Sequence, residues 1–179
     1  MKSIALITLA LASAAPALAT AQAGAAPKGI RAEMLAQLDD AASKLQQLAE
    51  AIPEDKLAWR PGTGVRSCGE VLMHVTGANY YLPTFVGVKA PADAPQGEKV
   101  ADRATAIQQM RRSFDHARAA IRNTSDADLD KPVTMFGQQT TVRGALLVTV
   151  THAHEHLGQL IAYARSNGVT PPWSRAAGM

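Results

Sequence analysis

Apolar residues recur every three or four positions along four stretches of the 179-residue chain, and each stretch reads as an amphipathic helix. From Ile30 the positions Met34, Leu35, Leu38, Ala41, Ala42, Leu45, Leu48, Ala49 and Ile52 draw one stripe, which Pro53 stops. A second stripe of Val71, His74, Val75, Ala78, Tyr81, Leu82 and Phe85 follows Ser67-Cys68-Gly69-Glu70, a capping-box signature. A histidine thus sits on an otherwise apolar face. The linker from Gly87 to Gly97 leads to a third stripe, Val100, Ala104, Ile107, Met110, Phe114, Ala117 and Ile121, ended by Asn123-Thr124-Ser125-Asp126. Residues 129–141 carry Pro132, Val133-Thr134-Met135-Phe136 and Gly137, and read as a loop with room for one brief extended turn. The fourth stripe starts near Thr141 and aligns Val142, Ala145, Leu146, Thr149, His152, Ala153, His156, Leu160 and Tyr163, before Asn167-Gly168 and Pro171-Pro172 end the helix. Four such helices with one moderate and two longer connections predict an all-α domain over residues 28–175, folded as a four-helix bundle.

The amino terminus follows a different pattern. Met1-Lys2-Ser3 is followed by an uncharged run from Ile4 to Leu18 and then by small residues, the three-part layout of a secretory signal peptide spanning residues 1–23 with cleavage after Ala19 or Ala23. The run falls short of the roughly 20 strongly apolar residues that span a bilayer, so no stable membrane span is expected after processing. The product is expected in the periplasm or secreted.

Charge narrows the partners. The chain has 18 Lys and Arg against 15 Asp and Glu, and removal of Lys2 with the leader leaves 17 against 15. Basic residues are scattered and no aromatics interleave with them, so nucleic acid is not an expected partner. A single cysteine excludes an internal disulfide framework and a Cys-based zinc finger.

The histidines carry the chemistry. His152 and His156 stand four residues apart, one turn up the same helix face, where two imidazoles can converge on one ion. That spacing alone is weak, because core histidines with an ordinary hydrogen-bond partner are common. His74 arrives from a second helix, also on its inner stripe, and burying three imidazoles without a shared ligand leaves each polar nitrogen in need of its own partner. A His-only set is the type that keeps a coordination position open for water, and the expected cofactor is a divalent ion, zinc foremost, with nickel, manganese or iron as alternatives. Glu70 and Glu155 are the acidic neighbours, read as a cap and an outer-sphere contact. His116 and His154 fall off the core stripes.

Three blocks in order carry a family resemblance. Ile52-Pro53-Glu54-Asp55-Lys56-Leu57-Ala58-Trp59-Arg60-Pro61 with Val65-Arg66-Ser67 leading to His74, then His152-Ala153-His154-Glu155-His156-Leu157-Gly158-Gln159-Leu160, then Tyr163-Ala164-Arg165 and Gly168 to Pro172, resemble the DinB family of four-helix-bundle metal proteins. The resemblance implies a DinB-type bundle, His74, His152 and His156 as metal ligands, a divalent ion such as zinc or nickel, a homodimer in many members, and activities that include thiol-dependent transfer, isomerisation and hydrolysis. Glu155 before His156 departs from the family's frequent second histidine and changes the neighbour from basic to acidic.

The remaining candidates have ordinary readings beside functional ones. Cys68 starts a helix, where a thiolate is favoured, yet it also suits a packed core site. Trp59 and Trp173 either line a pocket mouth or clamp a bundle end. Arg60 and Arg66 either hold an anionic substrate or sit in ion pairs. No Gly-x-Ser-x-Gly elbow and no P-loop occur. The sequence therefore predicts an exported metal-dependent hydrolase acting on an unidentified small molecule; the alternatives are a non-catalytic metal-binding module and a metal-dependent thiol transferase.

Overall fold

The computed structural model describes residues 26–100 and 102–176, so the leader expected over residues 1–23 lies outside the described residues. The helices are α1 (Gly29–Ala51), α2 (Cys68–Tyr81), α3 (Arg103–Asn123), α4 (Val142–Ser166) and a short α5 (Pro172–Ala176). Strands β1 (Pro132–Met135) and β2 (Gln138–Thr141) form a two-stranded hairpin between α3 and α4.

Local chemistry sets the boundaries. Pro53 disfavours the helical region for the residue before it, and Ile52 accordingly turns extended at φ −70°, ψ 124°. At the start of α2, Glu70 N donates to Ser67 Oγ at 3.2 Å and Ser67 N donates to Glu70 Oε2 at 2.7 Å, the reciprocal pair read from the sequence. Asp102 caps α3 by accepting from Thr105 N, and Thr141 caps α4 by accepting from Gly144 N. Gly168, at φ 73°, closes the C-terminal end of α4 in the left-handed conformation that costs glycine least.

Both α1 and α2 pack on α3 and α4, so the two helices that are consecutive in sequence sit diagonally across the bundle. Long connections make that crossing possible. The core between the helices is built from Leu38, Leu45, Leu48, Ile52, Val71, Leu72, Phe114, Ile121, Leu146 and Leu160, all at most 2% exposed. Each such side chain contributes about 1.5–3 kcal/mol by leaving water. The packing of α2 on α4 decides the site, because His74 lies on the first and His152 and His156 on the second.

The structure differs from the sequence expectation in three places. Residues 129–141 form a paired hairpin, with Pro132 opposite Thr141 and Met135 opposite Gln138, where a loop was expected. The α-helical part of the second stripe ends at Tyr81 and continues as a 3-10 turn over Leu82–Val86. Tyr81 is 54% exposed and Ala104 is exposed, so neither faces the core, whereas Leu72, Met73, Thr76, Asn79 and Tyr80 are buried although they lie off the stripe. The connection that follows α2 reaches back over the start of that helix. A Cβ at Gly69 would stand 2.7 Å from Val100 Cγ2 and 3.3 Å from the Leu57 carbonyl oxygen. That close approach lays Glu98 beside His74.

Candidate metal centre

His74, His152 and His156 each present a ring nitrogen, and these three atoms lie within 4.8 Å of one another. The ring centroids are 5.0 Å apart for His74 and His152, 4.6 Å for His74 and His156, and 4.4 Å for His152 and His156. His152 Nε2 faces His74 Nε2 at 3.1 Å. His156 is the most buried of the three, 8% exposed.

Hydrogen bonds fix which nitrogen is available on two of the rings. His74 Nδ1 meets Glu98 Oε1 at 2.7 Å, and since an ionised carboxylate only accepts, Nδ1 carries the proton and Nε2 keeps its lone pair. The Glu98 carboxyl is held below the usual carboxylate range, chiefly by the Arg66 guanidinium, whose Nε donates to Glu98 Oε2 at 2.8 Å, with His74 adding to the effect against burial. His156 Nδ1 donates to Gln159 Oε1 at 2.7 Å, and Gln159 Nε2 in turn donates to the Tyr163 hydroxyl at 2.9 Å. Trp59 packs edge-on against the Tyr163 ring at 5.4 Å, which anchors this chain of contacts to the bundle. Outer contacts of this kind orient metal-binding imidazoles and raise their basicity.

Burial and the neighbouring positive charges disfavour protonation here. His152 is pushed down to about 4, first by burial and then by His156, His74 and Arg66. His74 is also lowered, mainly by burial, although Glu98 pulls the other way. Neutral imidazole is the form that binds a metal.

The donor set fits a divalent ion. Two ligand nitrogens bonded at about 2.0–2.1 Å in a tetrahedral shell stand roughly 3.3–3.4 Å apart, close to the observed 3.1 Å between His74 and His152. His152 Nδ1 is buried with no hydrogen-bond partner among the described residues, so the ring is not held there by an ordinary partner on that side. A cleft of about 380 Å³ opens beside the cluster, lined by His74, His152 and Glu98 together with Met73, Ala78 and Phe136 among others.

The other sequence candidates settle into structural roles. His154 Nε2 contacts the Gln37 carbonyl at 3.0 Å, and His116 lies apart from the triad beside Tyr80 at 5.2 Å. Glu70 completes its cap and pairs with Arg60, while Glu155 is exposed. Cys68 is fully buried and its thiol is pushed up by burial, which favours the packed reading. Trp59 and Trp173 both pack against the main core. Arg60 and Arg66 are ion-paired, with Glu70 and Glu98 respectively. Sequence reasoning missed Glu98, because a residue in an irregular connection carries no periodic signal. Its one local mark is Gly97, whose φ of 76° turns the chain just before it.

Comparison with known sequences supports this architecture. The family model described as the DinB superfamily matches residues 37–160, a span that contains all three histidines. The chain belongs to the DinB superfamily. No curated protein matches it. Solved structures that resemble this DinB-superfamily chain include a DinB-like protein from Bacillus cereus ATCC 10987, at a TM-score of 0.69 and 19% identity over 78% of this chain and 93% of that one. The DinB-like protein YjoA from Bacillus subtilis aligns at a TM-score of 0.62 and 19% identity, covering 77% of this chain and 93% of that one. YfiT from Bacillus subtilis, described as a probable metal-dependent hydrolase with an unusual four-helix bundle topology, aligns at 0.64 and 17% identity over 78% and 89% of the two chains. At these identities the likeness establishes the fold.

Proposed function

We propose that this DinB-superfamily chain is an exported metal-dependent hydrolase in which His74, His152 and His156 hold a divalent ion, zinc foremost. The observation that carries the proposal is the meeting of three ring nitrogens within 4.8 Å beside a cleft able to admit a small molecule. The description of YfiT as a probable metal-dependent hydrolase on the same fold points the same way. When bound, such an ion supplies a Lewis acid that makes water a nucleophile at neutral pH. The chain's own residues supply the rest. Glu98 keeps the proton of His74 on Nδ1, Gln159 does the same for His156, and the neutral state of His152 leaves it able to donate a lone pair.

A non-catalytic metal module is the second reading. Glu98, the acidic residue that lines the cleft, is already engaged by Arg66 and His74, so it is not free to act as a general base. Hydrolysis of 4-nitrophenyl acetate by zinc-loaded protein, compared with His156→Ala, separates the two. Zinc-dependent turnover lost in the variant supports the enzyme; stoichiometric zinc with no turnover on a panel of esters and amides supports the module. Thiol transfer ranks below both, since an exported protein lies away from cytosolic low-molecular-weight thiols. Export itself rests on the pattern of residues 1–23, and among the described residues no helix is long and apolar enough to cross a membrane. Amino-terminal sequencing of the mature protein beginning at Thr20 or Gly24 supports it, and an intact Met1 in the cell-bound fraction counts against it.

A further inference from the structure

The hairpin β1–β2 places Phe136 at its tip with 63% of its surface exposed. Its backbone φ is 52°, and Gly137 follows at 79°, so both turn residues occupy the left-handed region. A two-residue turn of that kind selects Asn, Asp or Gly at its first position, and a bulky aromatic there is strained. An observed strain of this sort points to function when a site lies next to it. The site is present. Phe136 lies 5.0 Å from Phe85 and 6.4 Å from Tyr81, ring centre to ring centre, and Tyr81 and Phe136 line the same cleft as His74, His152 and Glu98.

We infer that the cleft takes a small molecule with an aryl or similarly flat apolar tail, which Tyr81 and Phe136, both packed on Phe85, grip while a polar reacting group faces His74 and His152. The assignment deepens the proposed function and rests on it for the position of the reacting group. Three features of the cleft support it. Its volume of about 380 Å³ lies at the small end of ordinary ligand sites, enough for one ring and a short linker. Its apolar walls, including Met73, Ala78 and Leu82, offer little to a strongly hydrophilic tail such as a sugar. The exposed rings of Tyr81 and Phe136, each packed edge-to-face on Phe85, are large, rigid surfaces against which a further ring can pack. Phe136 and Tyr81 are therefore specificity-determining residues, and the strain at Phe136 is retained because asparagine there would relax the turn and lose the ring.

The test compares two hydroxamates on zinc-loaded full-length mature protein, phenylacetohydroxamate and acetohydroxamate, which share a head group and differ by the ring. The inference predicts that the phenyl compound binds about tenfold tighter, and that this ratio falls toward one in Phe136→Asn and Tyr81→Ala. Thermal melting of Phe136→Asn equal to or above wild type supports a functional placement of the ring, whereas a lower melting temperature with the ratio preserved assigns Phe136 to the hairpin's structure and overturns the inference. Equal binding of both hydroxamates to wild type also overturns it, and leaves the metal reading standing. A second arm needs no metal. Titration of 4-phenyl-1-butanol into metal-free protein should shift the ring NMR signals of Tyr81 and Phe136, and the absence of those shifts contradicts the aryl cleft, whatever the fate of the metal proposal.

Discussion

Replacing Glu98 tests whether the contacts around the histidines tune metal binding. The carboxylate accepts from His74 Nδ1 at 2.7 Å and from Arg66 Nε at 2.8 Å, so Glu98→Ala frees the His74 ring to rotate and leaves the Arg66 guanidinium uncompensated beside the site. Loss of an outer contact of this kind lowers metal affinity by about 10–100-fold. The lower end applies here, because Glu98 is 34% exposed and His74 26% exposed, and water takes over part of the lost interaction. Tenfold in affinity is about 1.4 kcal/mol. At saturating zinc that difference passes directly into folding stability, which for a domain of this size lowers the melting temperature of the loaded protein by about 3–6 °C relative to loaded wild type. Glu98→Gln keeps an acceptor oxygen without the charge and should fall between the two. The assay is zinc competition against a chromogenic chelator at pH 7.5, with melting curves for metal-free and loaded protein of each variant. Equal zinc affinity in wild type and Glu98→Ala, in a protein whose His74→Ala variant no longer binds zinc, would refute the positioning role.

Gln159→Leu removes the acceptor of His156 Nδ1 and the donor to Tyr163, and should lower zinc affinity by about tenfold in the same competition assay. Ser67→Ala removes the hydroxyl that accepts from Glu70 N and should destabilise the chain by about 1 kcal/mol in urea denaturation, with zinc content unchanged. Glu70 titrates below its ordinary 4.5 in the folded chain, first because Ser67 N donates to it and then because Arg60 does. The unfolded chain therefore binds the proton first as pH falls, so the stability Glu70 adds is complete above about pH 4.5 and disappears below it. The difference between wild type and Glu70→Gln in urea midpoint should accordingly be present at pH 7 and shrink as the pH is lowered through that range.

The fold was readable wherever packing repeats along the chain. The α1 stripe from Met34 to Ile52 is buried position for position, because that helix presents a single face to the core. The α4 stripe from Val142 to Tyr163 is also buried, with His152 alone at an intermediate level, but α4 packs on several elements and buries Val150, Leu157 and Ala164 besides. The α2 stripe was less faithful. That helix packs against both α3 and α4 and lies under the connection that follows it, so it buries Leu72, Thr76 and Asn79 as well, and its far end turns Tyr81 out toward the cleft. The hairpin escaped notice because four-residue strands are too short for a period and its turn carries Phe136 where asparagine or glycine is the usual mark. In the site, the three histidines were legible from helical spacing. Glu98 was not, since its place beside His74 is set by the approach of Val100 to Gly69 across the fold.

If His74, His152 and His156 share one ion, metal content by mass spectrometry shows it without an intermediate step. Purified chain incubated with zinc and passed through gel filtration should retain one zinc per chain, with a melting temperature above that of the metal-free form. His156→Ala should retain only background zinc and show no zinc-dependent rise in melting temperature, while His154→Ala, whose ring contacts the Gln37 carbonyl away from the triad, should behave as wild type. Full zinc occupancy in His156→Ala, or none in wild type after loading, would rule out a zinc ion shared by the three histidines.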